Sequence, residues 1–406
     1  MRKTTILAAL LFLVPAMSSQ AKTLEDLLVE KGIITKAEAQ GAKTAAPAKV
    51  YWNKGTRVDF PDTGFSAGIN TFIQTGYSFT DNDKASAKKN TSSFDVSKAR
   101  IILSGTALHE EFEYMVSGDL VGSTTTNSGG GTTSNPAMVD TYVKWKACDY
   151  AALTLGQFKS NIGRSFNTDD QSLMFADRSA TSNYFSLGRM GGGKLTSKLG
   201  KGVVTNLAIY NGAPQTGEGQ NSSGIDTKQT IVLDLRANVL GTIDEFTESD
   251  VDYTEELGVS AGAAYAYTDG TINGVTTDMH NVTADVIAKQ QGLSVAAEFF
   301  YQDFKPDQLE SSSPLGAYVQ AGYFLEPKKW EVALRWGYTD CDDGKAYGSC
   351  SGYNSVNQAT AGINYYWWKN HLKAQLNYDH LSQDPHASGA SSIDTNRWLL
   401  QLSSYF

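Results

Sequence analysis

Cysteine, histidine and proline are scarce in this 406-residue chain, with three, five and nine residues respectively, and each shortage excludes something. Three cysteines cannot build a disulfide framework. The histidines, His109, His280, His371, His380 and His386, show no metal-ligand spacing, and no serine sits in a nucleophile elbow. The residues therefore offer no catalytic constellation and no cofactor site. Positive charge is also in deficit: 34 Lys and Arg stand against 43 Asp and Glu, a net charge of −9. Such an excess of carboxylates repels polyanions and argues against a nucleic-acid partner. Beyond the first residues, no stretch approaches the ~18 consecutive apolar residues of a membrane-crossing helix.

Two motifs come close to chemistry and miss. In "GRMGGGKL", Gly188, Gly193 and Lys194 have the spacing of a phosphate-binding loop, but Leu195 stands where Ser or Thr must hold magnesium. Glycines in a strand that another backbone approaches closely account for it better. "DCDDGKAYGSC" offers Asp340, Asp342 and Asp343 without the ligand spacing or terminal Glu of a calcium loop, and reads as a solvated acidic loop. Its cysteines, Cys341 and Cys350, can close a small disulfide loop in an oxidising compartment. Cys148 is left over and reads as a small buried or half-buried residue.

The N-terminus supplies an address. Arg2 and Lys3 precede the apolar run 6–14 and the small residues Ser19 and Ala21, the pattern of a secretory signal over residues 1–21. Residues 22–59 read as a periplasmic helical segment and linker. Leu24, Leu27 and Leu28 have helical spacing, Gly32 breaks it, and Thr35 with Glu38 forms a capping box before the tether "GAKTAAPAK". A mobile leader and an oligomer contact are both open for it.

From about residue 60 onward the period changes to two. "TIVLDLRANV" sets Ile231, Leu233, Leu235, Ala237 and Val239 against Val232, Asp234, Arg236 and Asn238, and "KKWEVALRWGYT" sets Trp330, Val332, Leu334, Trp336 and Tyr338 against Lys329, Glu331, Arg335 and Thr339. The last ten residues, "RWLLQLSSYF", alternate in the same way to the final Phe406. Segments of about ten alternating residues between turn-rich stretches are the signature of a transmembrane β-barrel, whose strands of ~9–11 residues cross the hydrocarbon at a tilt. Long polar connections such as "TDNDKASAKKNTSS" alternate with short ones such as "TALHE", "QQG" and "EPKK", as outer loops and inner turns would. One connection, residues 241–255, is long where a short turn is due. The count is about sixteen strands: an all-β, antiparallel transmembrane barrel over residues 60–406 with a short N-terminal helical leader. That many strands enclose an aqueous channel. The aromatic cluster Tyr365, Tyr366, Trp367 and Trp368 at a strand end, with Trp330 nearby, reads as an interfacial girdle.

The stretch 160–186, "SNIGRSFNTDDQSLMFADRSATSNYFS", is too apolar for a solvated surface loop. It is expected to fold into the channel and narrow it, bringing Arg164, Asp169, Asp170, Asp177, Arg178 and Arg189 into a constriction that sets ion preference. An external lid is the other arrangement. Lys159 at its root is a further candidate for the constriction, and Lys98, Arg100, Lys144, Lys146, Arg189, Arg236, Arg335, Lys373 and Arg397 make a candidate basic track on the inward parity. Asp119, Asp140, Asp234, Asp285, Glu298, Glu331 and Asp379 share that parity and dilute it.

"VDTYVKW", "LTLGQFKSNIG", "FADRSATSNYFSLGRMGGGKL", "NLAIYNG" and "FDVSKARIILSG", with the final aromatic, together resemble the phosphate-selective porin O and P family over nearly all of residues 60–406. The resemblance implies a trimeric, sixteen-stranded outer-membrane porin of a Gram-negative bacterium with its third loop folded inward. It would be embedded in outer-membrane lipids and pass small ions and hydrophilic solutes. It also implies that Phe406 is read by the outer-membrane assembly machinery. Phosphate-specific members carry a row of arginines down one lumen wall; here the arginines are scattered, which implies a water-filled pore of modest charge preference. Two readings from other classes are an outer-membrane barrel enzyme and a secreted soluble β binding protein.

Overall fold

A computed structural model of the chain describes residues 28–33, 35–36, 47–53, 55–82, 90–126, 132–200, 202–211, 227–272, 275–307, 310–346 and 348–406. The expected signal segment 1–21 and most of the helical leader lie outside the described residues; residues 28–30 are helical.

A short hairpin comes first, β1 (Lys49–Trp52) and β2 (Thr56–Phe60). Sixteen long strands follow. They are β3 (Phe65–Asn82), β4 (Thr91–Ala107), β5 (Phe112–Thr126), β6 (Thr132–Cys148), β7 (Ala151–Lys159) and β8 (Arg189–Lys198). Next come β9 (Val203–Asn211), β10 (Thr227–Leu240), β11 (Gly258–Ile272), β12 (Val275–Gln290) and β13 (Leu293–Pro306). The last are β14 (Leu315–Glu326), β15 (Trp330–Asp340), β16 (Tyr353–Trp368), β17 (Leu372–Pro385) and β18 (Ile393–Tyr405). Each pairs antiparallel with its sequence neighbours, and β18 returns to β3 from Thr395↔Asn82 to Tyr405↔Phe72, closing a sixteen-stranded barrel. Every alternating segment of the sequence is one of these strands. Closure leaves no unpaired edge, the condition for β-structure in hydrocarbon.

Period two fixes what faces where. On β10, Ile231, Leu233 and Leu235 are about half exposed on the outer wall, while Val232, Asp234 and Arg236 are buried inside. Of the aromatic cluster, Trp367 and Trp368 are on the outer wall as a girdle requires, but Tyr366 is turned inward and buried, bonded to Glu331. A register shift between Tyr366 and Trp368 changes the parity there. Cys148 is exposed rather than buried, because β6 ends at it beside a tight turn.

The β1–β2 hairpin lies within the stretch expected to be linker. It replaces β18 as the partner of β3 where the chain ends, from Thr56↔Ile69 to Phe60↔Phe65. Trp52 packs on Trp368, with ring centroids 4.8 Å apart. Both the hairpin and Phe406 sit at the rim of short turns. At the other rim Cys341 and Cys350 are disulfide-bonded. The interior is filled from both ends: residues 160–188 enter from the long-loop rim, and residues 241–257 from the short-turn rim.

Candidate pore constriction

Strand β7 stops at Lys159, and the chain turns inward through Gly163, whose φ of 77° suits glycine. A Cβ at Gly163 would also come within 3.1 Å of the Glu298 carboxylate on β13. A one-turn helix (Arg164–Asn167), a 3-10 turn (Asp170–Ser172) and a helix (Ala180–Phe185) follow, the last capped by Ser179 Oγ accepting the Ser182 N–H. The sequence folds this way because the far wall supplies partners for a backbone that lacks its own. Lys373 Nζ and Gln375 Nε2 donate to the Leu173 and Met174 carbonyls at 2.5 and 3.0 Å. The N–H groups of Ala176 and Ala180 donate to Asn377 and Gln358, each at 2.7 Å. Inward Asn, Gln and Lys thus satisfy loop groups that would otherwise be buried unpaired. Met174 and Phe175 pack on Ala333, and Phe185 stacks on Phe300 at 5.2 Å.

The root of the loop is held by charge. Arg164 is fully buried; its Nη2 donates to the Tyr318 hydroxyl at 3.1 Å, and Glu248 and Asp285 each lie 3.8 Å from its guanidinium. The Arg164 and Ser165 N–H groups both donate to Glu298. Glu248 belongs to the inserted turn 241–257. It accepts from Ser165 Oγ at 3.1 Å and from the Met174 N–H at 2.9 Å, and its own N–H donates to the Ser172 carbonyl. Burial alone would raise its carboxyl, but Arg164 and the Met174 N–H outweigh this and hold it below the ordinary value. The loop and the turn therefore brace each other inside the barrel. The unusual length of 241–255 was the only sequence signal for this contact. The bracing residue, Glu248, carries no pattern of its own.

The candidate selectivity residues separate into two groups. Arg164, Arg236 and Arg335 lie under the loop and turn, all within 5% exposure. Arg236 grips Asp285 through two nitrogens at 2.9 and 3.2 Å, and Arg335 donates to the Asp177 carbonyl with its guanidinium 4.5 Å from the Phe175 ring centroid. Lys98, Arg100, Lys159, Arg178 and Arg189 gather on the opposite side. Asp170 is bracketed by Lys98 at 3.0 Å, Arg100 at 3.3 Å and Arg178 at 2.6 Å. Lys159 meets Asp169 at 2.8 Å, and Arg189 holds Asp140 through two nitrogens at 3.0 and 3.1 Å. Lys144 and Lys146 both reach Glu113. The side chains of Lys98, Lys144, Lys146 and Arg189 keep 23–38% exposure. Burial would raise the Asp170 carboxyl, yet Arg178, Lys98, Arg100 and Lys159 hold it well below the usual carboxylate range.

Beneath the loop, at the short-turn rim, a cavity of about 380 Å³ is lined by Asp169, Ser172, Thr247, Asp252 and Lys369 among others. Phe406 lies outside it at the seam. Its N–H donates to the Thr71 carbonyl at 3.0 Å and its carbonyl accepts from Thr71, while the ring stays on the outer wall 6.2 Å from Trp368.

Solved structures share this architecture. An anion-selective porin from Comamonas acidovorans superposes with a TM-score of 0.58 at 14% identity, covering 84% of this chain and all of that one. The outer-membrane channel DcaP of Acinetobacter baumannii gives 0.60 at 15% identity, over 84% of this chain and 98% of its own. OprB of Pseudomonas putida gives 0.55 at 12% identity, over 85% and 95%. At these identities the likeness is one of fold. No curated protein matches the sequence. The family model described as phosphate-selective porin O and P matches residues 69–406, and with its closed sixteen-stranded barrel and inward loop the chain belongs to that family: it is an outer-membrane channel for passive diffusion.

Proposed function

We propose that this channel favours small anions, phosphate among them, through the solvent-facing charge on one side of its lumen. The observation that carries the reading is an imbalance. The ion pairs on the β4–β8 side join seven cations (Lys98, Arg100, Lys144, Lys146, Lys159, Arg178, Arg189) to five carboxylates (Glu113, Asp119, Asp140, Asp169, Asp170). Lys194, bonded to Asn161, adds an eighth cation. On the wall opposite, the carboxylates Asp234, Asp285, Glu298 and Glu331 are sealed under the loop and turn together with the cations Arg236, Lys289, Arg335 and Lys373, so a solute in water meets mainly the basic side. In this reading Arg164, Arg236 and Arg335 fix the constriction, while Lys98, Arg100, Lys159, Arg178 and Arg189 set its preference. The matched family and its neighbours support the lipid environment. Export by residues 1–21, a leader over 22–59, a homotrimer, a Gram-negative host and recognition of Phe406 by the assembly machinery complete the proposal. Proteoliposome swelling tests the preference: uptake of small anions faster than of cations of equal size is expected, and the reverse order would overturn it.

A further inference from the structure

Lys98, Arg100 and Arg178 converge on one carboxylate, and that carboxylate belongs to the protein. We infer that they form a binding site for the carboxylate group of a permeating solute, and that Asp170 is its tethered occupant, which a passing solute must displace. The inference rests on the anion preference proposed above and names the solute class and the residue that tunes it.

Two features separate such a site from an ordinary ion pair. The first is that its guanidinium groups are positioned without Asp170. Arg178 donates from Nε to the Ser165 carbonyl at 2.8 Å and from Nη2 to the Thr168 carbonyl at 2.5 Å, with its guanidinium 5.6 Å from the Phe166 ring centroid. Arg100 is held by Asp119 at 3.4 Å and lies 5.9 Å from the Phe72 ring centroid. Withdrawing Asp170 would leave both guanidinium groups in place, so the site is preorganised for an oxyanion. The second is spare capacity: among the described residues Arg100 Nε has no hydrogen-bond partner, although it is buried. Lys98, a quarter exposed, is the cation at which an incoming anion first meets the cluster. Asp170 sits on a 3-10 turn of three residues, separate from the apex that Lys373, Gln375 and Asn377 hold. A self-occupied site binds weakly and releases quickly, as conduction requires.

The test compares wild type with Asp170→Asn, which keeps volume and removes charge, by current-noise analysis in planar bilayers with succinate as blocker. A site free only a small fraction of the time weakens apparent affinity by that fraction, so D170N is expected to tighten succinate block about tenfold. Adding Arg178→Gln to D170N should abolish the gain. Equal block in wild type and D170N, or greater conductance without tighter block, would overturn the inference and reduce Asp170 to a loop tether. Tightening for inorganic phosphate but not succinate would overturn the carboxylate assignment. A wild-type channel that prefers cations would sink the broader proposal instead, and the D170N comparison would still report on this site.

Discussion

Replacing Arg164 by Gln should loosen the constriction while leaving the barrel intact. Arg164 is fully buried among Glu248, Asp285, Glu298 and Tyr318. Removing one partner from a buried charge cluster leaves the others uncompensated, which costs about 3–5 kcal/mol. That loss falls on the root of the loop and on the turn 241–257, which meets it through Glu248. The apex keeps its bonds to Lys373, Gln375, Asn377 and Gln358, and four hydrogen bonds at about 0.5–1.5 kcal/mol each are of the same size as the loss. A partly released root over a held apex predicts flickering current and higher mean conductance rather than a uniformly wide pore. Single-channel recording measures this directly, and circular dichroism with heat-dependent gel migration confirms that the barrel persists. R164Q channels as quiet as wild type would refute the claim that this buried charge holds the loop.

The reversal-potential difference between wild type and D170N should persist from neutral pH down to about pH 4. Burial works against the Asp170 charge, but its cations prevail and hold its carboxyl below the usual range, so its docking contribution is present above the ordinary carboxylate value and is lost only as pH falls through the lowered one; collapse of the difference near pH 5 would contradict this. Deleting Phe406, bonded to Thr71 at the seam, should lower the yield of barrel in the outer membrane while the channels that form conduct normally. Replacing Cys341 and Cys350 by Ser removes a nine-residue closure that stabilises its loop by about 2–3 kcal/mol; faster proteolysis of residues 341–352 with unchanged conductance is expected. Leu233→Arg on the outer wall should block insertion at a cost of about 2–4 kcal/mol, whereas Asp234→Asn, one residue away and facing inward, should insert normally.

The barrel was legible because strand parity is a local signal: Ile231 and Val232 differ in exposure for the same reason that they differ by one position. Strand ends were less so. "TDGTINGVTTD" reads as a long loop, yet β11 and β12 pair through it to Ile272↔Val275, because hairpins continue past the apolar band once the first pairs are made. The β1–β2 hairpin had a signal, a turn at Gly55 between "KVYW" and "TRVDF" with Val50 opposite Val58, but strands of four and five residues are too short to be stable alone. It is fixed by β3 and Trp368, remote in sequence. Depth inside the lumen was not legible at all. Arg236 and Arg189 share an inward parity, and only the paths of residues 160–188 and 241–257 decide that the first is sealed and the second meets water. Those paths depend on pairings such as Ala176 with Asn377, two hundred residues apart, which no periodicity records.

In the proposed function the basic side of the lumen, left open by the loop, sets ion preference. The reversal potential of the purified protein across a planar bilayer in a potassium chloride gradient tests it most directly. Stepwise conductance with a reversal potential displaced toward that of chloride is predicted; displacement toward potassium, or no conducting steps, would contradict it.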